Sequence, residues 1–77
     1  GQYGIRVNAI CPGLIKTKFA QALWSNEKLL KQVERHLPTG RIAEPDEMAG
    51  LAVYLASPAA SYVTGSVFVA DGGHMIA

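Results

Sequence analysis

Cysteine is nearly absent from this chain, which has 77 residues and a single cysteine, Cys11. One cysteine excludes an internal disulfide, so the sequence is not that of a small secreted scaffold held together by disulfides. This cysteine content fits a reducing, cytosolic setting. Cys11 itself is interpreted as a small buried apolar side chain rather than as a nucleophile.

An excess of one charge and long apolar runs are also missing. Seven Lys and Arg stand against six Asp and Glu, and the basic residues are scattered, which argues against nucleic acid or an anionic membrane as a partner. The apolar runs fall far short of the roughly 20 residues that span a bilayer. The two histidines have no cysteine or carboxylate at ligand spacing, so no metal site is expected. The composition indicates a soluble, globular chain.

The first predicted element is a strand over residues 5–11. Its side chains are mostly apolar on both faces, which is typical of a sheet that is covered on both sides. Pro12 is expected to end the strand because proline has no N–H to give to a sheet ladder. Gly4 can adopt the left-handed conformation that ends helices, so the chain is expected to begin inside a larger fold.

Two helices are predicted between residues 18 and 37. Thr17 is a plausible N-cap for a short helix that runs through Trp24. Asn26 can cap again, and residues 27–37 then carry their leucines and valine on one stripe.

The second half of the chain predicts a helix and a strand. Proline followed by carboxylates opens a helix over residues 45–57, and a short β-branched run predicts a strand over residues 66–70. The order strand, helices, strand predicts two parallel strands joined by a helical crossover. Two parallel strands need further strands and covered faces. The fold class is therefore α/β, and the chain is expected to be one part of a doubly wound parallel-sheet protein, or to dock on the missing part.

Three stretches carry a family resemblance: IRVNAICPGLIKT, GRIAEPDEMAGLAVYLASPAASYVTG and VFVADGG. In this order and spacing they resemble the C-terminal third of a short-chain dehydrogenase/reductase, over essentially the whole chain. The carbonyl-reductase and 3-oxoacyl-reductase branches are the most similar. The resemblance implies a Rossmann-type sheet, NAD or NADP as the cofactor, and interconversion of an alcohol and a carbonyl compound.

The resemblance makes residues 12–17 a cofactor turn. It implies that Pro12 and Gly13 form the floor beside the nicotinamide ring, that the backbone of Ile15 meets the carboxamide, and that the Thr17 hydroxyl bonds to it. Glycine allows close backbone approach, and a free peptide group with a hydroxyl can recognise an amide. The alternative, that Thr17 is an ordinary helix cap, is compatible with this role.

The resemblance also makes residues 18–37 a substrate lid. Its inner face, Phe19, Leu23 and Trp24 together with Leu14, implies an apolar or aromatic-tolerant carbonyl substrate. These side chains can equally be core. The third predicted helix and the last strand are implied to pair subunits into a homodimer or homotetramer.

No residue of the chain is assigned a catalytic role. The family's glycine-rich TGxxxGxG turn, its catalytic serine and asparagine and its YxxxK pair belong upstream. Pro58 lies four residues after Tyr54 and Ser66 four after Tyr62, so neither tyrosine has the required lysine. The 77 residues alone are therefore expected to be inactive. The choice between NAD and NADP, the substrate and the reaction direction stay open.

Three polar residues near element ends have other interpretations. His36 complements a helix C-terminus, and Asp71 belongs to a turn. His74 stays open, since tails in the family can reach a neighbouring subunit's site. The last residues, 74–77, carry no peroxisomal tripeptide, so a cytoplasmic location is expected.

Two alternative functions remain from the sequence. The chain can be a noncatalytic assembly or regulatory fragment that pairs with intact subunits, or a small stand-alone binding module. The first predicts association without cofactor binding, and the second a cooperative unfolding transition of the isolated chain.

Overall fold

The computed structural model describes residues 1–76. Its helices and strands are β1 (Ala9–Pro12), α1 (Gln21–Trp24), α2 (Glu27–His36), α3 (Asp46–Ala56) and β2 (Val67–Ala70), with 3₁₀ turns at Pro58–Ala60 and His74–Ile76. β1 and β2 pair in parallel, so the expected strand–helices–strand crossover is confirmed.

β1 differs from the strand expected over residues 5–11. It begins at Ala9, because the backbone of Val7 bonds to the bend before β2 rather than to a strand: its N–H donates to Thr64 Oγ1 and its carbonyl accepts from Gly65 N. Pro12 is the last residue of β1, so the strand ends there, one residue beyond the expected range of 5–11. Along a parallel strand, every second residue directs its N–H towards the neighbouring strand. Ala9 and Gly13 are two such residues, since their N–H groups face β2. Pro12 is at one of the other positions, where an N–H would point away from β2.

The helices also have narrower bounds than expected. α1 starts at Gln21, because residues 17–20 form a separate turn. α2 ends at His36 and Leu37 is extended, while the helix expected over residues 45–57 and the strand over 66–70 each lose terminal residues. Asn26 caps α2 as expected, since its Oδ1 accepts from Lys28 N and Leu29 N.

Two polar side chains tie the entry of β1 to the end of α3. Arg6 donates to the Leu55 carbonyl at 2.8 Å and to the Val63 carbonyl at 3.1 Å. Asn8 donates to Val63 O at 3.0 Å and accepts from Ser66 N at 3.1 Å. A charged donor at the last carbonyls of a helix complements its dipole, so these contacts fix α3 and the bend that starts β2.

Much of the apolar surface is uncovered within residues 1–76. Only Leu37 and Ala60 are buried apolar side chains, while Val67 and Val69 on one face of β2 are exposed. Cys11, paired with Val69, is exposed as well, so its expected burial is not provided by the described residues. Parallel sheets are normally covered on both faces, so this open face fits the expectation that the chain is part of a larger fold.

None of the helices within residues 1–76 is long and apolar enough to cross a membrane. The expected cytoplasmic location was based on residues 74–77, and Ala77 lies outside the described residues.

Candidate functional site

The candidate site lies at the carboxyl edge of the two-stranded sheet. Pro12 is in register with Ala70, so both strands end at the same level and the chain leaves them at Gly13 and Asp71. Gly13 N donates to the Ala70 carbonyl at 2.9 Å. Ligands of open parallel sheets bind outside this edge.

Gly13 and Asp71 are in close backbone contact. A Cβ on Gly13 would lie 2.7 Å from Asp71 Cα and 2.8 Å from Asp71 Cβ, so only glycine fits here. The Asp71 carboxylate accepts from Gly73 N at 2.9 Å and from Met75 N at 3.0 Å. Asp71 thus organises the turn after β2, as the sequence indicated.

The turn after Gly13 is anchored to the segment before α3. Lys16 N donates to the Ala43 carbonyl at 2.9 Å, and Ala43 N donates to the Leu14 carbonyl at 3.2 Å. Ile15 lies between these two bonds as one half of an isolated parallel bridge. In a parallel bridge of this kind the residue at the centre directs its own N–H away from its partner.

This geometry leaves hydrogen-bonding capacity at Ile15 and Thr17. Within residues 1–76 the Ile15 N–H donates to no acceptor, while its carbonyl accepts from Thr17 N at 2.8 Å. Thr17 Oγ1 accepts from Ala20 N at 3.3 Å, which leaves its O–H proton for another acceptor. Both residues are half-buried, so the turn presents one amide donor and one hydroxyl two residues apart in the sequence.

Trp24 lies against this turn. Its Nε1 donates to the Thr17 carbonyl at 2.7 Å, and the Lys16 ammonium lies 5.0 Å from its ring centroid. The indole therefore supports the turn over residues 12–17, and it lines a cavity of about 500 Å³ that also has Lys16 and Arg41 in its wall.

The residues predicted for the lid's inner face separate into three environments. Leu14 and Leu23 line one cavity of about 210 Å³ beside Gly13. Trp24 faces the other side of the turn, and Phe19 is 101% exposed and lines neither cavity. The separation arises because residues 17–20 form a turn of their own instead of extending the helix, so the spacing of four between Phe19 and Leu23 does not place them on one face.

The 210 Å³ cavity beside Gly13 is also lined by residues that the site prediction missed. Its wall is completed by Val33 of α2, by Leu37 directly after α2, and by Asp71 and His74 from the segment after β2. The apolar stripe of α2 marks Val33 and Leu37 in the sequence, but nothing local shows that the stripe faces Gly13. The position of His74 depends on the turn after β2.

A third cavity, of about 310 Å³, also has His74 in its wall. Cys11, Pro12, Gly13 and Met75 are in its wall. Gly13, Asp71 and His74 line both this cavity and the 210 Å³ cavity, so the carboxyl edge of the sheet is where the two meet.

Known proteins are similar to this chain in both sequence and structure. A family sequence model described as enoyl-(acyl carrier protein) reductase matches residues 1–75. A short-chain dehydrogenase from Aspergillus ruber is 46% identical over 72 residues, covering 92% of this chain and 26% of that protein.

Solved structures of dehydrogenases are also similar to this chain. A gluconate 5-dehydrogenase from Burkholderia cenocepacia, in complex with NADP and tartrate, superposes with a TM-score of 0.91 at 35% identity over 97% of this chain and 29% of its own. A 4-hydroxyisoleucine dehydrogenase complexed with NADH has a TM-score of 0.90 at 34% identity, covering 95% of this chain and 30% of its own.

The similarity covers nearly all of this chain but only part of each relative. The chain spans 26 to 30% of the length of the curated relatives it matches. Together with the parallel strands, the helical crossover and the turn at the carboxyl edge, these matches show that the chain belongs to the short-chain dehydrogenase/reductase family.

Proposed function

We propose that this chain is the cofactor-turn and lid segment of an NAD(P)(H)-dependent oxidoreductase that interconverts an alcohol and a carbonyl compound. The observation that carries the proposal is the turn at the carboxyl edge, where Ile15 keeps an unused amide donor and Thr17 an unused hydroxyl proton. Relatives with this segment are dehydrogenases and reductases. Since the chain spans less than a third of their length, the rest of the site belongs to other parts of the enzyme.

The donor set fits a nicotinamide carboxamide. A carboxamide has one carbonyl acceptor and an NH₂ donor. The Ile15 N–H suits the carbonyl, and the Thr17 hydroxyl suits either end because it both donates and accepts. Pro12 and Gly13 offer a floor without side-chain bulk at Gly13, which is held against Asp71. NAD and NADP both remain candidates, since one solved neighbour is complexed with NADH and another with NADP.

The chemistry divides between this segment and the rest of the enzyme. When bound, the cofactor supplies the hydride for the carbonyl carbon, and the carbonyl oxygen takes one proton, so that a ketone becomes a secondary alcohol. Tyr54 and Tyr62 lack a lysine four residues later, so we assign the proton donor to a group outside the chain. This segment therefore positions the cofactor and covers the substrate, and the 77 residues alone transfer no hydride.

The proposed lid is formed by α1 and α2. The two helices pack against each other and close over Leu14 and Gly13 through Leu23 and Val33. A wall of aliphatic side chains excludes water from the region next to Gly13 and favours the apolar part of a small carbonyl substrate.

We also propose that α3 and β2 contribute to a homo-oligomer, a dimer or a tetramer, in the cytoplasm. After its first turn α3 is apolar on every side, and Val53 on its outer face is 67% exposed within residues 1–76. A helix that is apolar all round is normally buried. Val67 and Val69 of β2 are also exposed apolar side chains, so β2 adds apolar surface to the proposed interface.

Thr17→Ala in the full-length enzyme tests the cofactor role. Removing the hydroxyl is expected to weaken binding of the preferred cofactor about fivefold to tenfold, the loss expected for one partly buried hydrogen bond. Thr17→Ser keeps the hydroxyl and is expected to bind nearly as the wild type. Fluorescence titration of NADH and NADPH measures both dissociation constants.

A circular-dichroism melt of each variant separates a folding defect from a binding defect. The proposal fails if the wild type binds neither NADH nor NADPH. It also fails if Thr17→Ala binds the cofactor as tightly as Thr17→Ser.

A further inference from the structure

The 210 Å³ cavity beside Gly13 has an almost entirely apolar wall. Its aliphatic side chains come from three separate segments: Leu14 from the cofactor turn, Leu23 from α1, and Val33 of α2 with Leu37 directly after it. Two side chains in the wall can form hydrogen bonds, those of Asp71 and His74. The polar selectivity of the cavity therefore rests on these two residues.

Both carboxylate oxygens of Asp71 already accept hydrogen bonds from the backbone. One carboxylate oxygen accepts from Gly73 N and the other from Met75 N. These two bonds fix the carboxylate within the turn, and an ionised carboxylate only accepts hydrogen bonds, so we assign Asp71 a structural role in the wall.

His74 is an exposed residue in the wall of the cavity, and its ring is uncommitted. Its backbone N–H donates to the Asp71 carbonyl at 3.2 Å, while its imidazole makes no hydrogen bond to residues 1–76. The backbone turn that delivers it is closely fitted, since a Cβ on Gly73 would lie 2.6 Å from Pro38 Cγ. A neutral imidazole has one donor and one acceptor, so His74 can bond to a hydroxyl in either direction.

We propose that His74 is a specificity-determining residue that selects substrates with a hydroxyl group at some distance from the reacting carbonyl. This inference rests on the proposed oxidoreductase function. The substrate class is a compact ketone, or the corresponding alcohol, whose hydrocarbon body occupies the aliphatic cavity while its distal hydroxyl bonds to the imidazole. A cavity of about 150 Å³ accepts benzene, so the 210 Å³ here suits a body of that size or slightly larger.

The test compares matched ketones in the full-length enzyme. The probes are cyclohexanone with 4-hydroxycyclohexanone, and 2-hexanone with 6-hydroxy-2-hexanone, each assayed with NADH and NADPH. The wild type is expected to show a higher kcat/KM for the hydroxylated member of at least one pair. His74→Leu keeps a side chain of similar bulk and is expected to lower that preference about fivefold or more, through the loss of one hydrogen bond. His74→Gln can still donate and accept, so it is expected to retain most of the preference.

Met75→Leu is the control, since Met75 lines only the neighbouring cavity and should leave the preference unchanged. Equal kcat/KM values within both pairs for the wild type, or a preference that survives in His74→Leu, would overturn the inference and leave the oxidoreductase intact. Cofactor binding without turnover of any probe would likewise overturn this substrate class. Absence of NADH and NADPH binding would instead overturn the proposed function, and the inference with it.

Discussion

Gly13, directly after β1, lies against the backbone of Asp71, directly after β2. Gly13→Ala would place a methyl group 2.7 Å from Asp71 Cα, and since this neighbour is backbone, the turn itself must shift. We expect the free energy of unfolding to fall by about 1–3 kcal/mol, as for other overpacked sites. Because the shift displaces Ile15, cofactor binding is expected to weaken at least tenfold. Thermal melts and cofactor titration of the full-length enzyme measure the two effects.

Gly50→Ala is the matched control for this substitution. Gly50 lies inside α3, where an added Cβ meets nothing within residues 1–76. Cofactor affinity should therefore stay at the wild-type value. A Gly13→Ala enzyme that binds cofactor as tightly as Gly50→Ala would show that the turn does not hold the nicotinamide.

Several residue roles could be predicted from the sequence, and the exceptions have a common cause. The Asp71 turn and the Asn26 cap depend on neighbours two to four residues away, and the structure has both. Trp24 was expected in the lid's inner face, yet its N–H reaches the Thr17 carbonyl because residues 17–20 turn. Local spacing does not fix the direction of a side chain across such a turn.

At the scale of elements, order and type were predictable while boundaries were not. The early part of the expected first strand bonds to a bend that lies 57 residues later in the chain, through Val7 and Thr64. No periodicity within residues 5–11 carries that information. Pro12 stays in β1 because the alternation of the parallel ladder turns its position away from β2.

α3 has an exposed apolar surface of the kind that subunit interfaces bury. Val53→Glu places a carboxylate on its apolar outer face, which is exposed within residues 1–76. If this face pairs subunits, burying an unpaired charge should weaken association at least about tenfold. Sedimentation velocity of the full-length enzyme across a concentration series measures the shift to smaller species.

Gln32→Glu adds the same charge to α2 at an exposed position, and it should leave the assembly unchanged. A Val53→Glu enzyme with the sedimentation coefficient of the wild type would contradict the proposed interface. So would a wild type that is monomeric at every concentration.

The whole molecule has too much surface for its size. A compact protein of 8.2 kDa exposes about 4,500 Å², whereas 5882 Å² of this chain is accessible. Its radius of gyration is 15.1 Å, against about 11.5 Å expected for a compact domain of this length. The α/β class could be predicted from the order of elements, but nothing within residues 1–76 covers the open sheet face.

Hydrogen–deuterium exchange of the full-length enzyme tests the central claim most directly. The account predicts that saturating NAD(P)⁺ slows exchange in the peptide that contains residues 13–17, because the Ile15 N–H then gains an acceptor. Peptides from α3 serve as an internal reference and should change little. Unchanged exchange of residues 13–17 at a cofactor concentration shown to saturate the enzyme would contradict the assignment of this turn to the nicotinamide.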